Sequence, residues 1–169
     1  MADESNPIFE VPTAEVIRLY AHPSFQIDAK PGDRRFSSKV RVRPQTAAYL
    51  GLTSNLGVTV SKSSTDPFPI IRNEELLLIR AEANIGLGNL ASAQADLTVI
   101  RAAAGLGPVT IDAANAIDRL LHERRYSLFI EGHRWIDLRR YDRLKLPFAP
   151  IDRTGDGFNS KLPRPANEG

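Results

Sequence analysis

The sequence predicts a mainly α protein built around a tetratricopeptide-like helical hairpin. An irregular first part with short strands precedes the hairpin, and an extended carboxyl-terminal arm follows the helices. Three observations lead to this prediction: apolar residues recur at helical spacing from Arg72 onward, prolines gather in the first 69 residues, and glycine clusters divide the helical part into short helices. A chain of 169 residues and 18.7 kDa is long enough to bury a core.

The first 69 residues have the pattern of a proline-rich, extended segment. They contain seven of the twelve prolines, namely Pro7, Pro12, Pro23, Pro31, Pro44, Pro67 and Pro69. Alternating polar and apolar residues in 39–43 and in 58–60 predict two short, half-buried strands. A helix is predicted from Val11 to Tyr20, with Thr13 as its N-cap. We expect this segment to pack against another part of the protein, because it lacks a continuous apolar stripe.

A helical hairpin is predicted between Arg72 and Gly105, a span of 34 residues that equals one tetratricopeptide unit. Its first helix carries one apolar stripe, made of Leu76, Ile79, Ala83 and Leu87. Its second helix carries another, made of Ala93, Leu97, Ile100 and Ala104. Gly86 and Gly88 separate the two helices, and the glycine- and proline-containing segment 105–108 ends the second.

A third helix is predicted from Asp112, a favourable N-cap, to about Glu131. Its apolar side contains Ile117, Leu120 or Leu121, Arg124, Leu128 and Glu131. Two charged residues on that side are costly to bury unless they form ion pairs.

A fourth helix is predicted for residues 134–143, after an interruption at Gly132. Its inward side should carry Trp135 and Leu138. Beyond Pro147 the chain is again extended and rich in proline.

Composition and charge exclude several classes of function. Twenty-two basic and twenty acidic residues give a net charge of +2, and the basic residues between Arg119 and Lys145 alternate with acidic ones, which favours intrachain pairing over nucleic-acid binding. Seventeen of the basic residues are arginine, a bias that favours fixed ion pairs. The absence of cysteine excludes disulfides, thiol nucleophiles and cysteine-based zinc sites. No apolar run approaches the roughly 18 residues of a membrane-spanning helix.

No catalytic residue, metal site or cofactor is predicted. His122 and Glu123 are adjacent, but Tyr126 occupies the position where a helical zinc motif needs its second histidine. Glu131 and His133 lie on different helical faces and lack a third ligand. The carboxylates of this region stand beside arginines, and such pairing lowers a carboxyl pKa, the opposite of what a general acid requires.

Aromatic side chains could serve a binding site, but the sequence does not single one out. Those in the helical part are more typical of a core: Tyr126, Phe129, Trp135 and Tyr141. Those in irregular sequence are better placed to meet a ligand: Tyr20, Phe25, Phe36, Tyr49 and Phe68. The ligand-binding residues therefore stay unknown at this point.

Two blocks of sequence are specific enough to suggest a family. The first is RNEELLLIRAEAN at 72–84 together with the rest of the predicted hairpin up to Leu106. The second is ERR at 123–125 with FIEGHRWIDLRR at 129–140. The element DRRF precedes them at 33–36, and LPRP follows at 162–165 with Glu168. In content and order these elements resemble the RagB/SusD family over residues 30–168. The signature positions are Arg72, Glu75, Glu82, Arg101, Glu123, Arg124, Glu131, Gly132, Arg134, Trp135, Asp137 and Arg139.

The resemblance implies a non-enzymatic binding protein. Members of this family are outer-membrane lipoproteins of Bacteroidetes-type bacteria that bind oligosaccharides or other nutrients at the cell surface. They deliver the ligand to a SusC-like TonB-dependent transporter. By this resemblance the signature arginines and carboxylates are scaffold residues, and no sugar-binding residue is transferred to the chain.

The chain departs from the family in two respects. Family members are several hundred residues long and carry a signal and a lipid-bearing cysteine, which this sequence lacks. We therefore expect a soluble fragment whose lipid anchor is absent, with residues 1–69 as an extended segment and 70–169 as a carboxyl-terminal helical module. The alternative is an intracellular tetratricopeptide-like adaptor for a protein or peptide partner. A hydrolase using His122, Glu123 or Glu131 is a third hypothesis.

Overall fold

The computed structural model describes residues 6–9, 11, 18–67 and 69–158. Within these ranges the chain is mostly helical, which confirms the predicted fold class. The elements are α1 (Ser24–Ile27), α2 (Arg34–Lys39), β1 (Val40–Tyr49), β2 (Leu52–Val58), α3 (Asn73–Gly86), α4 (Leu90–Ala103), α5 (Ala116–Ser127) and α6 (His133–Arg140). The described helices include none that is long and apolar enough to cross a membrane.

Strands β1 and β2 form an antiparallel hairpin with a bulge between Val42 and Ala47. The alternation predicted for residues 39–43 holds only in part: Val40 is buried, but Val42 is 47% exposed, and Arg43, which follows Val42 within the bulge, is buried. A bulge adds a residue to one strand and so moves the following side chains to the other face. The second predicted strand also differs, because β2 begins at Leu52 and ends at Val58.

The helix predicted from Val11 to Tyr20 is wrong at its carboxyl end, where the chain is extended beside β2. The Leu19 carbonyl accepts a hydrogen bond from Val58 N at 3.1 Å, and Ala21 N donates to the Leu56 carbonyl at 2.8 Å. The free edge of β2 satisfies these backbone groups in place of a helix. Thr13 and the rest of residues 12–17 lie outside the described residues, as does the LPRP element at 162–165.

The main core lies where the α3–α4 hairpin packs on α5. It consists of Leu78, Ala81, Ala93, Leu97, Ile100, Val109, Ile111, Ala116, Leu120 and Leu128. The stripe predicted for α4 is confirmed, since each of its four residues is at most 3% exposed. Gly105 ends α4 as predicted: its φ is +83, and a Cβ there would lie 2.8 Å from Arg34 Nε.

The apolar face predicted for α3 is the wrong one. Leu76, Ile79 and Leu87 are 51%, 50% and 75% exposed, whereas Leu78 and Ala81 are fully buried. Four consecutive apolar residues at 76–79 surround one helical turn, so the periodicity has more than one solution. Packing of α3 against both α4 and α5 selects the face that carries Leu78.

Helix α5 begins at Ala116 and ends at Ser127, so it is shorter at both ends than the predicted span from Asp112 to about Glu131. The Oδ1 atom of Asp112 accepts hydrogen bonds from Ala114 N at 2.9 Å and Asn115 N at 3.0 Å. The Asp112 carbonyl also accepts from Ala116 N at 3.0 Å, so Asp112 caps the turn that leads into α5, while Asn115 holds the N-cap position of the helix itself.

Helix α6 starts after Gly132, whose φ is +80, and ends at Arg140, short of the predicted residue 143. Leu138 faces the core, as predicted, and is 5% exposed. Trp135 departs from the prediction, because 37% of its surface stays exposed.

A smaller aromatic core joins the first part of the chain to α5. The Phe25 ring stacks on Tyr126 at 4.6 Å and on Phe129 at 4.2 Å between centroids. The Tyr126 hydroxyl donates to the Phe25 carbonyl at 2.8 Å. Tyr126 is fully buried, which confirms its prediction as a core residue. A division of the chain between residues 69 and 70 stays a prediction.

Candidate functional site

Helix α5 carries charged side chains into the interior. Glu123 and Arg124 are 1% and 5% exposed, values at which ionised groups need partners. Consecutive residues on a helix point about 100° apart, so the two side chains reach different neighbours. Two separate ion-pair clusters result.

Glu123 is the centre of the first cluster, where two arginines approach it. Its Oε1 lies 2.8 Å from Arg101 Nη1 and its Oε2 lies 2.7 Å from Arg35 Nη2. Arg101 Nε also donates to the Gly107 carbonyl at 2.7 Å. One carboxylate therefore connects α2, α4 and α5.

Asp33 completes this cluster by binding the Arg35 guanidinium through both carboxylate oxygens. Arg35 donates from Nε to Asp33 Oδ1 at 2.9 Å and from Nη2 to Oδ2 at 2.7 Å. Burial alone would raise the pKa of Asp33, but the hydrogen bonds and the charge of Arg35 outweigh it and lower that pKa. The DRRF element and the second sequence block are thus in direct contact.

Arg124 is the centre of the second cluster, between α3 and α6. Arg124 Nε donates to Asp137 Oδ2 at 2.7 Å, and Arg124 Nη1 lies 3.7 Å from Glu82 Oε2. Arg140 Nη2 lies 2.7 Å from Glu82 Oε1, and the Tyr141 hydroxyl donates to the same oxygen at 2.6 Å. Burial and the bond to Glu82 raise the pKa of Tyr141 to about 12. Tyr141 therefore stays protonated and serves as a donor.

Cations also collect at the carboxyl end of α5. Arg72 Nη2 lies 2.5 Å from Glu131 Oε1 and donates to the Ser127 carbonyl at 2.5 Å. Lys39 Nζ donates to the carbonyls of Tyr126 at 2.6 Å and Ser127 at 2.5 Å. The last carbonyls of a helix lack intrahelical partners and carry partial negative charge, which explains both contacts. Burial, with the charge of Arg72 next, lowers the pKa of Lys39 to about 8.

The remaining signature residues lie around α6. Glu75 Oε1 lies 3.5 Å from His133 Nε2. Gly132 supplies the left-handed backbone that turns the chain into the helix. The Arg139 guanidinium lies 5.3 Å from the centre of the Trp135 ring. Among the described residues no group of three or more His, Cys, Asp or Glu side chains could hold a metal ion.

The sequence identified the charged residues but not their partners. It favoured pairing between neighbours along the chain, whereas Glu123 pairs with Arg35, 88 residues away. Lys39 and Arg140 were not singled out at all. No local pattern distinguishes them from solvated residues, because their roles depend on the end of α5 and on Glu82.

A cleft of about 380 Å³ opens beside α5 and α6. Its lining is mainly apolar and aromatic: it includes Phe129, Trp135 and Phe148, and also the buried residues Phe25, Leu128 and Leu138. Arg124, Asp137 and Arg134 also border it. Sequence reasoning missed Phe148 and Phe25 as parts of this cleft, because Phe25 lies more than a hundred residues before α6 and Phe148 lies in the irregular segment after it.

A second cleft, of about 630 Å³, lies between β1, β2 and residues 18–23. Tyr20 and Tyr49 both line it, and Tyr49 is 77% exposed. Arg43 Nη1 donates to the Tyr20 hydroxyl at 2.9 Å and fixes that ring. Two of the irregular-segment aromatics are therefore accessible to a ligand, whereas Phe25 is buried; Phe68 lies outside the described residues.

His122 lies on α5 beside the first cluster, and its buried Nε2 has no hydrogen-bond partner in the part of the chain that the structure describes. Burial lowers the pKa of His122 to about 4 from 6.5. Between these pH values the unfolded chain binds a proton that the folded chain does not. The free energy of unfolding should therefore fall as the pH drops from about 6.5 to about 4.

When the pH is lowered from about 6.5 to about 4, the His122→Phe variant should lose about 1–3 kcal/mol less of its free energy of unfolding than the original chain. Urea denaturation of both proteins at several pH values between 4 and 7 measures the effect. Parallel curves for the two proteins would contradict the assignment of the acid sensitivity to His122.

Comparison with known proteins decides the family. Residues 45–168, well over half of the chain, match the model of the SusD family. The chain belongs to the SusD family. SusD-like protein P38 of Formosa agariphila is 32% identical over 138 residues, which cover 75% of this chain and 27% of that protein. The chain thus spans about a quarter of the length of this SusD-like relative. No solved structure matches this chain.

The SusD family match contains all twelve signature positions but begins after Asp33 and Arg35. Arg35 nevertheless forms ion pairs with both Asp33 and Glu123, and Glu123 lies within the matched region. The first cluster therefore extends beyond the matched region.

Proposed function

We propose that the chain is part of a non-enzymatic, carbohydrate-binding protein that takes part in nutrient uptake at the bacterial outer-membrane surface. In this proposal the protein hands an oligosaccharide to a SusC-like TonB-dependent transporter. Membership in the SusD family carries the proposal, through the match over residues 45–168. The name of the Formosa agariphila relative supports it.

The geometry supports a binding role through the contrast between the two ion-pair clusters and the cleft beside α6. In this proposal the arginines and carboxylates of the two clusters are scaffold residues, because they form ion pairs with one another. The proposal assigns residues 70–169 to the helical module and residues 1–69 to the segment before it, in which α2 and Phe25 of α1 contact α5. The cleft offers aromatic surface beside polar groups, the combination on which sugar rings are held by their C–H faces and hydroxyls.

Tryptophan fluorescence tests sugar binding directly, because Trp135 is the one tryptophan of the sequence and lines the cleft. Maltohexaose, cellohexaose and trigalacturonate are titrated into the protein, and calorimetry measures the same pairs. We expect saturable binding of at least one sugar. Mass spectrometry of the sugar recovered afterwards should show that it has not been cleaved. Absence of binding to all three would count against the proposal, and cleavage of a probe would contradict its non-enzymatic part.

The transporter partnership needs its own experiment. The tagged chain is expressed together with a SusC-like TonB-dependent transporter from the same organism, and the tagged chain is purified from detergent-solubilised outer membranes. We expect the transporter to co-purify in stoichiometric amount. Its absence would contradict the partnership, and co-purification with a cytoplasmic protein instead would favour the adaptor hypothesis.

A further inference from the structure

Arg134 is the one residue bordering the cleft beside α6 whose charge has no partner in the described part of the chain. The neighbouring charges are all paired: Arg124 with Asp137 at 2.7 Å, Arg125 with Asp28 at 2.5 Å and His22 with Asp152 at 2.8 Å. Arg134 instead donates to two backbone carbonyls, of Leu121 at 3.5 Å and Phe148 at 3.4 Å. Both distances are at the outer limit for a hydrogen bond.

The surroundings of Arg134 disfavour its charge. Burial, followed by the nearby charge of Arg125, lowers the pKa of Arg134 to about 10. A guanidinium has five N–H donors, and two long bonds to neutral oxygens use few of them. An anion that entered the cleft would both restore charge balance and accept the remaining hydrogen bonds.

The other walls of the cleft limit what kind of anion fits. Phe129, Trp135 and Phe148 present aromatic surface, and Leu128 and Leu138 add apolar surface. The Arg139 guanidinium stacks on Trp135, and that of Arg143 lies 4.2 Å from the centre of the Phe148 ring. A ligand that fits these walls combines an anionic group for Arg134 with an apolar face, and a volume of about 380 Å³ accommodates a small molecule.

We propose that this cleft is a subsite for a uronic acid residue, with Arg134 binding the carboxylate and the aromatic side chains holding the sugar ring. This inference rests on the proposed function and narrows its substrate class to acidic oligosaccharides. A carboxylate is planar and matches the fork of a guanidinium, so Arg134 can bind it through two parallel hydrogen bonds.

Trigalacturonate and its fully methyl-esterified form are the matched probes, because they share the same backbone and differ in the carboxylate charge. Trp135 fluorescence and calorimetry measure both dissociation constants. The acid is expected to bind at least about tenfold more tightly than the ester, and the difference should shrink as sodium chloride is raised.

Two variants of Arg134 separate charge from geometry. Arg134→Gln should bind the acid at least about tenfold more weakly and the ester about as well as the original chain. Arg134→Lys should recover part of the affinity for the acid. Arg119→Gln, an exposed arginine on α5, is the matched control and should bind both probes as the original chain does. Circular dichroism establishes that each variant is folded.

Equal binding of acid and ester by the unaltered chain would overturn the inference, and this comparison does not depend on any variant folding. Preferential binding of maltohexaose or cellohexaose would overturn it too, yet would leave the proposed carbohydrate binding intact. Binding of no sugar at all would contradict both. An acid preference that survives in Arg134→Gln would place the carboxylate elsewhere and overturn the role of Arg134.

Discussion

Replacing Glu123 with glutamine is expected to lower the free energy of unfolding by about 3–5 kcal/mol. The substitution keeps the shape of the side chain, so it opens no cavity and tests the charge alone. Glu123 is 1% exposed and faces two guanidinium groups, Arg35 at 2.7 Å and Arg101 at 2.8 Å. Without its carboxylate Arg101 loses its ion pair, and Arg35 keeps only Asp33.

This loss is large because the arginines cannot easily reach water. The side chains of Arg35 and Arg101 are 8% and 14% exposed, so their charges would stay largely desolvated in the variant. A buried ion that loses its partner is destabilising even where the pair itself contributes little net stability. The effect therefore measures the dependence of the folded state on the pair.

Urea denaturation at pH 7 measures the effect of Glu123→Gln. The control is Asp118→Asn on the same helix, whose carboxylate is 51% exposed and pairs with Arg143 at 2.8 Å. An exposed pair of this kind contributes about 0–1 kcal/mol, so the control should unfold almost as the original chain does. A loss below about 1 kcal/mol for Glu123→Gln would show that the fold does not depend on this carboxylate.

Replacing Leu78 with alanine is expected to cost about 3–5 kcal/mol, whereas the same change at Leu76 should cost less than about 1 kcal/mol. Leu78 is 0% exposed within the main core, and its removal leaves a cavity between α3 and α5. Leu76 lies two residues earlier and is 51% exposed, so its side chain has far less burial to lose. Alanine favours a helix at both positions, so the backbone contribution is the same.

The pair discriminates between the structure and the stripe that periodicity predicted for α3. Chemical denaturation of the two variants gives the midpoints, and an unchanged slope shows that the denatured state is not altered. If Leu76→Ala proved the more costly of the two, the orientation of α3 described above would be wrong.

Periodicity was informative where a helix has one apolar side and ambiguous where it has more. In α4 polar residues such as Gln94 and Thr98 lie beside the apolar stripe from Ala93 to Ala104, so the sequence offers one apolar face, and the prediction of that face is confirmed. In α3 the run at 76–79 provides apolar residues in every direction. Which of these residues is buried depends on the contacts of α3 with α4 and α5, and α5 belongs to a different part of the sequence.

Candidate-site residues show the same limit. The sequence distinguished Trp135 as an aromatic residue within a specific block, but it placed this residue inward. Trp135 is partly exposed because it lines a cleft together with Phe25 and Phe148. Phe25 lies more than a hundred positions before the other two residues in the chain. Such a cleft has no local signature.

The sequence by itself determined the mainly α fold class, the position of the hairpin, the family and the residue types that would form ion pairs. Those properties depend on spacing along the chain and on composition. Only the tertiary structure decided which face of α3 is buried, that Glu123 pairs with Arg35 and Arg101, and that Arg134 borders an aromatic cleft without an ion-pair partner among the described residues. The physical reason is that burial and Coulomb energy depend on distances in space, and the partners here come from segments that are remote in sequence.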